Sequence, residues 1–192
     1  MSFIDAYLDE TLLATEAFCG DARHRQVMAD MADAITASLR NGGKLLVCGN
    51  GGSAGDAQHI AGEFVSRLMY DRAPLAAIAL TTDTSVLTAT GNDYGFDRVF
   101  ERQVLALGQP GDVLLGISTS GTSANVLRAF AAGREKRLAC IGFAGAQDGP
   151  MAAACGLLLQ APSNRTPVIQ QIHITAAHVV CALVERAMFP QD

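Results

Sequence analysis

The sequence is poor in charged and aromatic residues, and its net charge is negative. Only 17% of the 192 residues are charged, 6% are aromatic, and tryptophan is absent. The formal net charge of −5 argues against a nucleic-acid partner, because such a protein needs a basic face to displace the counterions of the phosphate backbone. A small phosphorylated ligand stays compatible with this charge, since backbone N–H groups bind phosphate without basic side chains.

The sequence also lacks the features of secreted or membrane proteins. Its five cysteines are scattered along the chain, and no two of them form a C-x-x-C motif. An odd number of scattered cysteines is typical of reduced core cysteines in a cytosolic protein. The N-terminus carries acidic residues where a signal peptide would be basic. No unbroken apolar run approaches the roughly 18 residues of a membrane helix. We therefore expect a cytoplasmic protein that does not interact with a membrane.

Short apolar runs alternate with helical patterns along most of the chain. Strands buried on both faces, each followed by a helix, are typical of a parallel sheet covered on both sides. The sequence predicts an α/β fold: a three-layer αβα sandwich with five parallel strands in flavodoxin-like order. The predicted strands cover residues 44–49, 75–80, 112–118, 137–143 and 156–160. The predicted helices cover residues 53–70, 83–107 (broken at 91–95), 122–135, 148–155 and 166–188.

Two further amphipathic helices, at residues 2–18 and 22–40, precede the first strand. The length of the chain fits one domain. We expect a single domain over residues 1–192, with a helical pair at 1–42 followed by an α/β core and C-terminal helix at 43–192.

Two of the predicted strands end in loops rich in glycine and hydroxyl groups. The first strand runs into GNGGSA at residues 49–54, and the third into STSGTS at residues 118–123. Glycine lets a backbone approach a ligand closely, and a following helix offers free N–H groups and a positive dipole end. In flavodoxin-like order these strands are neighbours, so both loops line one crevice. The pair predicts an anion site, although an ordinary turn with a capping serine would explain either loop alone.

Polar side chains recur at helical spacing on two of the predicted helices. His59 and Glu63 are four residues apart and share one helix face, where they can bind a divalent metal or exchange protons; a solvated pair is the alternative. On the last helix, Gln170 and His178 fall along one stripe. We expect His173 to be a structural histidine.

These segments together resemble a known protein family. The stretches GNGGSAGDAQHIAGEF, LTTDTSVLTATGNDYGFDRVF, GDVLLGISTSGTSANV and TPVIQQIHITAAH are similar to the sugar isomerase (SIS) domain and, within it, to the bacterial phosphoheptose isomerases. The S-x-S-G-x-S loop is common to SIS proteins, whereas the His–Glu pair combined with Gln170 and His178 is far more specific. Two positions depart from the usual pattern: Gln171 stands in place of a glutamate and Thr122 in place of an asparagine.

The resemblance implies an aldose–ketose isomerase that converts D-sedoheptulose 7-phosphate to D-glycero-D-manno-heptose 7-phosphate, the first step of nucleotide-activated heptose biosynthesis. It implies a homotetramer with sites between subunits and one Zn²⁺ per site. The implied zinc ligands are His59, Glu63, Gln170 and His178, and the implied catalytic residues are Glu63 and His178. The implied substrate contacts are Asn50, Gly51, Gly52, Ser53, Glu63, Asn92, Asp93, Ser118, Thr119, Ser120, Ser123 and Gln170.

The spacing of Gln170 and His178 leaves the metal site open in one respect. Eight helical residues span about 12 Å, so both side chains reach one zinc only under special conditions. Gln170 would lie before the regular helix, both side chains would stretch inwards, or one ligand would come from a neighbouring chain.

Three other functions compete with this interpretation. A non-catalytic SIS relative binds the bacterial replication initiator, but it lacks the acidic residue of the His–Glu pair and the last histidine. A sugar-phosphate-sensing domain of a regulator is disfavoured, because we find no attached DNA-binding segment. An isomerase of another phosphosugar remains an alternative.

Overall fold

The computed structural model describes residues 2–191, and its centre is a parallel sheet. The strands are β1 (Leu45–Gly49), β2 (Ala77–Ala79), β3 (Val113–Ser118), β4 (Ala139–Ala144) and β5 (Leu157–Gln160). They lie in the order β2-β1-β3-β4-β5, and every neighbouring pair is parallel. All residues of β1 and β3 are buried, as their unbroken apolar runs predicted. The predicted flavodoxin-like order is confirmed, and it places β1 directly beside β3.

Helices cover both faces of this sheet. They are α1 (Phe3–Gly20), α2 (Ala22–Arg40), α3 (Gly52–Val65), α4 (Thr84–Tyr94), α5 (Glu101–Leu107), α6 (Ala124–Glu135), α7 (Met151–Ala154) and α8 (Thr166–Met188). One core cluster joins α1, α2, α3 and α8 to one face of the sheet, and a second joins α5, α6 and α7 to the other. The two clusters take alternate residues of β1, with Val47 on one side and Cys48 on the other. The three-layer sandwich and the N-terminal helical pair are therefore confirmed.

The helix predicted at 53–70 ends earlier than expected, at Val65. The cause is Arg72, whose guanidinium donates hydrogen bonds to the carbonyl oxygens of Glu63 (2.6 Å), Phe64 (2.7 Å) and Ser66 (3.1 Å). Glu63 and Phe64 lie in the last turn and Ser66 is the C-cap residue, and carbonyls in the last turn of a helix need partners outside it. A side chain seven residues beyond the helix end supplies them, so the local pattern could not show where the helix stops.

A buried ion pair anchors the segment that follows α3. Glu185 of α8 accepts hydrogen bonds from Arg72 Nε (3.0 Å) and from the backbone N–H groups of Leu68 (3.0 Å) and Met69 (2.8 Å). Burial raises the pKa of Glu185, but these hydrogen bonds and the charge of Arg72 outweigh it, so the pKa lies below its ordinary value. The pair fixes the end of α3 against α8.

The last helix is more apolar than the sequence interpretation allowed. By length and composition alone α8 could cross a membrane, with a mean hydropathy of 1.5 over its most apolar window. Histidines and glutamines interrupt α8, so the sequence contains no unbroken apolar run of membrane length, but they leave the mean hydropathy of the helix high. Half of that window is buried inside the protein, and α8 packs against α2 and α3. This is the arrangement of a core helix.

Candidate active site

The two glycine- and serine-rich loops meet at the carboxyl ends of β1 and β3, as predicted. Gly51 has φ 55°, a left-handed conformation that favours glycine, and it precedes the first residue of α3 without a side-chain cap. A Cβ atom on Gly52 would lie only 2.4 Å from Nε2 of Gln170. The absence of a side chain at Gly52 therefore lets α8 bring the Gln170 amide against the start of α3.

The second loop forms a cluster of hydroxyl groups at the start of α6. Ser118 Oγ lies 2.8 Å from Ser123 Oγ and 3.3 Å from Ser120 Oγ, and the Thr122 hydroxyl donates to Ser120 at 2.9 Å. The side chain of Ser123 makes no capping hydrogen bond, so it leaves the N-terminus of α6 to other partners. Several hydroxyls beside a helix N-terminus are suited to binding a phosphate group.

Three polar side chains converge between α3 and α8. His59 Nε2 lies 3.1 Å from Glu63 Oε1 and 2.9 Å from Nε2 of His178. One ligand atom from each of the three residues falls within 4.8 Å of the others. The side chain of His59 is 48% exposed and that of Glu63 18%, so the cluster is open on one side. A solvated His–Glu pair does not account for the third member, which comes from a different helix.

The geometry of this cluster fits a zinc ion. Tetrahedral zinc with bonds of about 2.0–2.1 Å separates its ligand atoms by about 3.3 Å. The distances from His59 to Glu63 (3.1 Å) and from His59 to His178 (2.9 Å) are close to this value. Two imidazoles and one carboxylate are also the ligand set of a catalytic zinc that keeps an open position. The residues present therefore suit the metal that the sequence interpretation named.

Gln170 contacts α3 at a different point from His178. Its amide contacts Gly52, whereas His59 and His178 meet further along both helices. The two helices therefore run side by side, with residue 52 opposite 170 and residue 59 opposite 178. Gln170 lies next to the glycine loop, and its ligation of zinc stays a prediction.

Asn92 and Asp93, predicted as substrate contacts, lie in the last turn of α4. Both are exposed, and the amide of Asn92 donates a hydrogen bond to Asp93 Oδ1 at 2.7 Å. Ser53 is buried at the start of α3, while Thr119 is half-buried next to the hydroxyl cluster. The roles of these four residues stay predictions.

Comparison with known proteins assigns the family. Residues 7–145 match the SIS domain family. A phosphoheptose isomerase of Burkholderia pseudomallei is 51% identical over 189 residues, covering 98% of this chain and 96% of that protein. One of Rhodospirillum rubrum is 58% identical over 161 residues, covering 84% of this chain and 86% of that protein. The structure of a Neisseria gonorrhoeae phosphoheptose isomerase superposes with a TM-score of 0.88 and 45% identity, covering 95% and 96% of the two chains.

The chain belongs to the phosphoheptose isomerase family of SIS-domain proteins. The resemblance stated from the motifs is thereby confirmed. The departures at Thr122 and Gln171 leave the cluster of His59, Glu63 and His178 intact, since Thr122 lies in the hydroxyl loop and Gln171 is exposed on α8.

Two polar residues beside the site were not assigned a role from the sequence. Asp56 lies one turn before His59, and burial raises the pKa of its carboxyl; among the described residues its Oδ2 has no hydrogen-bond partner. Asn125, in the first turn of α6, exchanges two hydrogen bonds with Asn50. The sequence held one signal for Asn125: it lies two residues after the end of the STSGTS loop.

Proposed function

We propose that the chain is a phosphoheptose isomerase that converts D-sedoheptulose 7-phosphate to D-glycero-D-manno-heptose 7-phosphate. The observation that carries the proposal is the convergence of His59, Glu63 and His178 in a chain of this family. The cluster lies about 10 Å along α3 from the glycine loop, given seven residues of helical rise. That distance suits a heptose phosphate bound with its phosphate at the hydroxyl loop, its sugar hydroxyls along the glycine loop and its carbonyl end at the cluster.

Each group of the site would take one part of the reaction. The hydroxyls of residues 118–123 and the N-terminus of α6 would bind the phosphate, and Asn50 and Gln170 would bind sugar hydroxyls. Glu63 would remove the proton from C1 of the ketose and return a proton to C2, through an enediol. His178 in its neutral form would move a proton between the two sugar oxygens. Bound zinc would supply a Lewis acid that polarises the carbonyl.

The metal is supported by the ligand set, and its content can be measured directly. Protein purified without chelators is expected to carry about one zinc per chain, and His59→Ala is expected to lose it. Gln171→Ala is the matched control, since that side chain is exposed on α8. Loss of zinc in Gln170→Ala would identify Gln170 as a ligand, and an unchanged zinc content would exclude it. A wild-type protein that binds no zinc, even when zinc is added, would rule out the metal site.

The quaternary structure and the location belong to the same proposal. Exposed apolar side chains on the first turns of α1 support a homo-oligomer, with a tetramer as the proposed state. We propose that residues 1–192 form one domain that functions in the cytoplasm, in a pathway supplying activated heptose to envelope polysaccharides such as lipopolysaccharide.

A substrate comparison tests the proposed reaction. Purified protein is incubated with D-sedoheptulose 7-phosphate and, separately, with D-fructose 6-phosphate and D-ribulose 5-phosphate, and aldose formation is followed by NMR. We expect the highest kcat/KM with the seven-carbon ketose. A preference for a shorter phosphosugar would favour an isomerase of another substrate, and inactivity with all three would favour a non-catalytic SIS protein.

A further inference from the structure

Two asparagines form a closed pair across the crevice. Asn50 Nδ2 donates to Asn125 Oδ1 at 2.9 Å, and Asn125 Nδ2 donates back to Asn50 Oδ1 at 2.8 Å. Asn50 directly follows β1, while Asn125 lies in the first turn of α6 and is 3% exposed. The pair therefore joins the glycine loop to the helix that follows the hydroxyl loop.

The orientation of both amides follows from a backbone group. The N–H of Val126 donates to Asn125 Oδ1 at 3.0 Å, and because a backbone N–H can only donate, the atom it meets must be oxygen. The amide nitrogen of Asn125 then faces Asn50, so Asn50 must present its Oδ1 to accept that hydrogen bond. Asn50 retains one N–H and one oxygen lone pair outside the pair.

We propose that Asn125 is a positioning residue that holds the Asn50 carboxamide in a single orientation for the substrate. This rests on the proposed function, in which Asn50 binds a sugar hydroxyl. Free rotation would exchange the donor and acceptor of Asn50, so a sugar hydroxyl would meet the wrong partner in part of the population. The pair also links the two ends of the proposed substrate site. Asn125 belongs to α6, whose N-terminus would bind the phosphate, and Asn50 belongs to the glycine loop, which would bind the sugar.

A double-mutant cycle on kcat/KM with D-sedoheptulose 7-phosphate tests the coupling. Asn125→Ser keeps an acceptor near the first turn of α6 but is too short to reach Asn50. Asn50→Ala and Asn125→Ser are each expected to lower kcat/KM by about tenfold, the value of one neutral hydrogen bond. The double variant is expected to be no worse than Asn50→Ala alone. Losses that multiply instead would mean that Asn125 acts independently of Asn50, which would overturn the proposal.

Amide exchange measured by NMR gives a readout that needs no activity and no Asn125 variant. The side-chain signal of Asn50 is identified by its loss in Asn50→Ala. In the wild type, one of its amide protons is expected to exchange with water at least about tenfold more slowly than those of exposed Asn164. Equal exchange would overturn the amide pair. Slow exchange in a protein without isomerase activity would retain the pair and reject only the proposed function.

Discussion

At the scale of single residues, three histidines on two neighbouring helices have different environments. His59 and His178 lie at the open cluster, whereas His173 is 1% exposed. The Nε2–H of His173 donates to the carbonyl of Ala144 at 2.9 Å, and its ring lies 5.5 Å from that of Phe143. The predicted structural role of His173 matches these contacts. Burial lowers the pKa of His173 to about 4, although the hydrogen bond to Ala144 acts in the opposite direction.

This buried histidine makes folding stability depend on pH. The unfolded chain binds a proton at His173 below about pH 6.5, while the folded chain resists it down to about pH 4. The neutral ring therefore stabilises the fold fully above pH 6.5, and that stability is lost as the pH falls, by up to about 3 kcal/mol near pH 4. We expect urea midpoints to fall more steeply between pH 7 and 4.5 in the wild type than in His173→Gln. Parallel curves would contradict this assignment.

At the scale of elements, the sequence predicted the order of helices and strands well but missed some of their ends. Unbroken apolar runs identified all five strands, and in β1 and β3 every residue is buried, so these two strands show no alternation. The end of α3 was missed because Arg72, which binds its last carbonyls, lies outside the helix pattern. The side-by-side register of α3 and α8 depends on contacts such as Gly52 with Gln170. A linear pattern does not contain such contacts.

The sequence predicted some parts of the candidate site and missed others. The spacing of His59 and Glu63 indicated a shared face, and the two loops indicated an anion site. The meeting of His59 with His178, 119 residues apart, came from the family resemblance alone. The Asn50–Asn125 pair was missed because a single buried amide in the first turn of α6 carries no periodic signal.

The buried Arg72–Glu185 pair gives a prediction about the α3–α8 contact. Glu185→Gln would leave the Arg72 guanidinium, whose side chain is 3% exposed, without its counter-charge. We expect a loss of about 3–5 kcal/mol in the free energy of unfolding, measured in urea. Glu185→Gln combined with Arg72→Met should recover part of it.

The control for this prediction is Glu10, which pairs with Arg165 on the surface. Both side chains of that pair are about 40% exposed, so Glu10→Gln is expected to cost less than about 1 kcal/mol. Equal losses for Glu185→Gln and Glu10→Gln would mean that the buried pair is no more important than a surface one.

At the scale of the whole molecule, α1 leaves an apolar surface uncovered. Phe3, Ile4, Leu8, Leu12 and Leu13 are all more than half exposed, whereas only Ala14 and Phe18 of this helix are buried. Exposed apolar patches of this kind mark interaction sites. The proposed assembly would use this surface on the first turns of α1.

Charge substitutions on α1 test this surface. We expect the wild type to sediment as an oligomer, and Leu8→Glu with Leu12→Glu to dissociate it, because a buried charge without a partner is costly. Activity should fall with dissociation if sites lie between subunits. Asp9→Asn on the same helix is the control and should leave the assembly intact. A wild-type monomer with full activity would contradict the proposed assembly.

The most direct test of the proposed isomerase is turnover of D-sedoheptulose 7-phosphate by Glu63→Gln beside the wild type and Ser120→Ala. NMR in D₂O follows the aldose and the deuterium that enzymatic proton return places at C2. The wild type is expected to form labelled aldose, and Glu63→Gln to turn over at least about 10²-fold more slowly. Ser120→Ala is expected to raise KM while retaining most of kcat, because a phosphate contact is made equally in the ground and transition states. Wild-type turnover by Glu63→Gln, or no aldose from the wild type, would contradict the account.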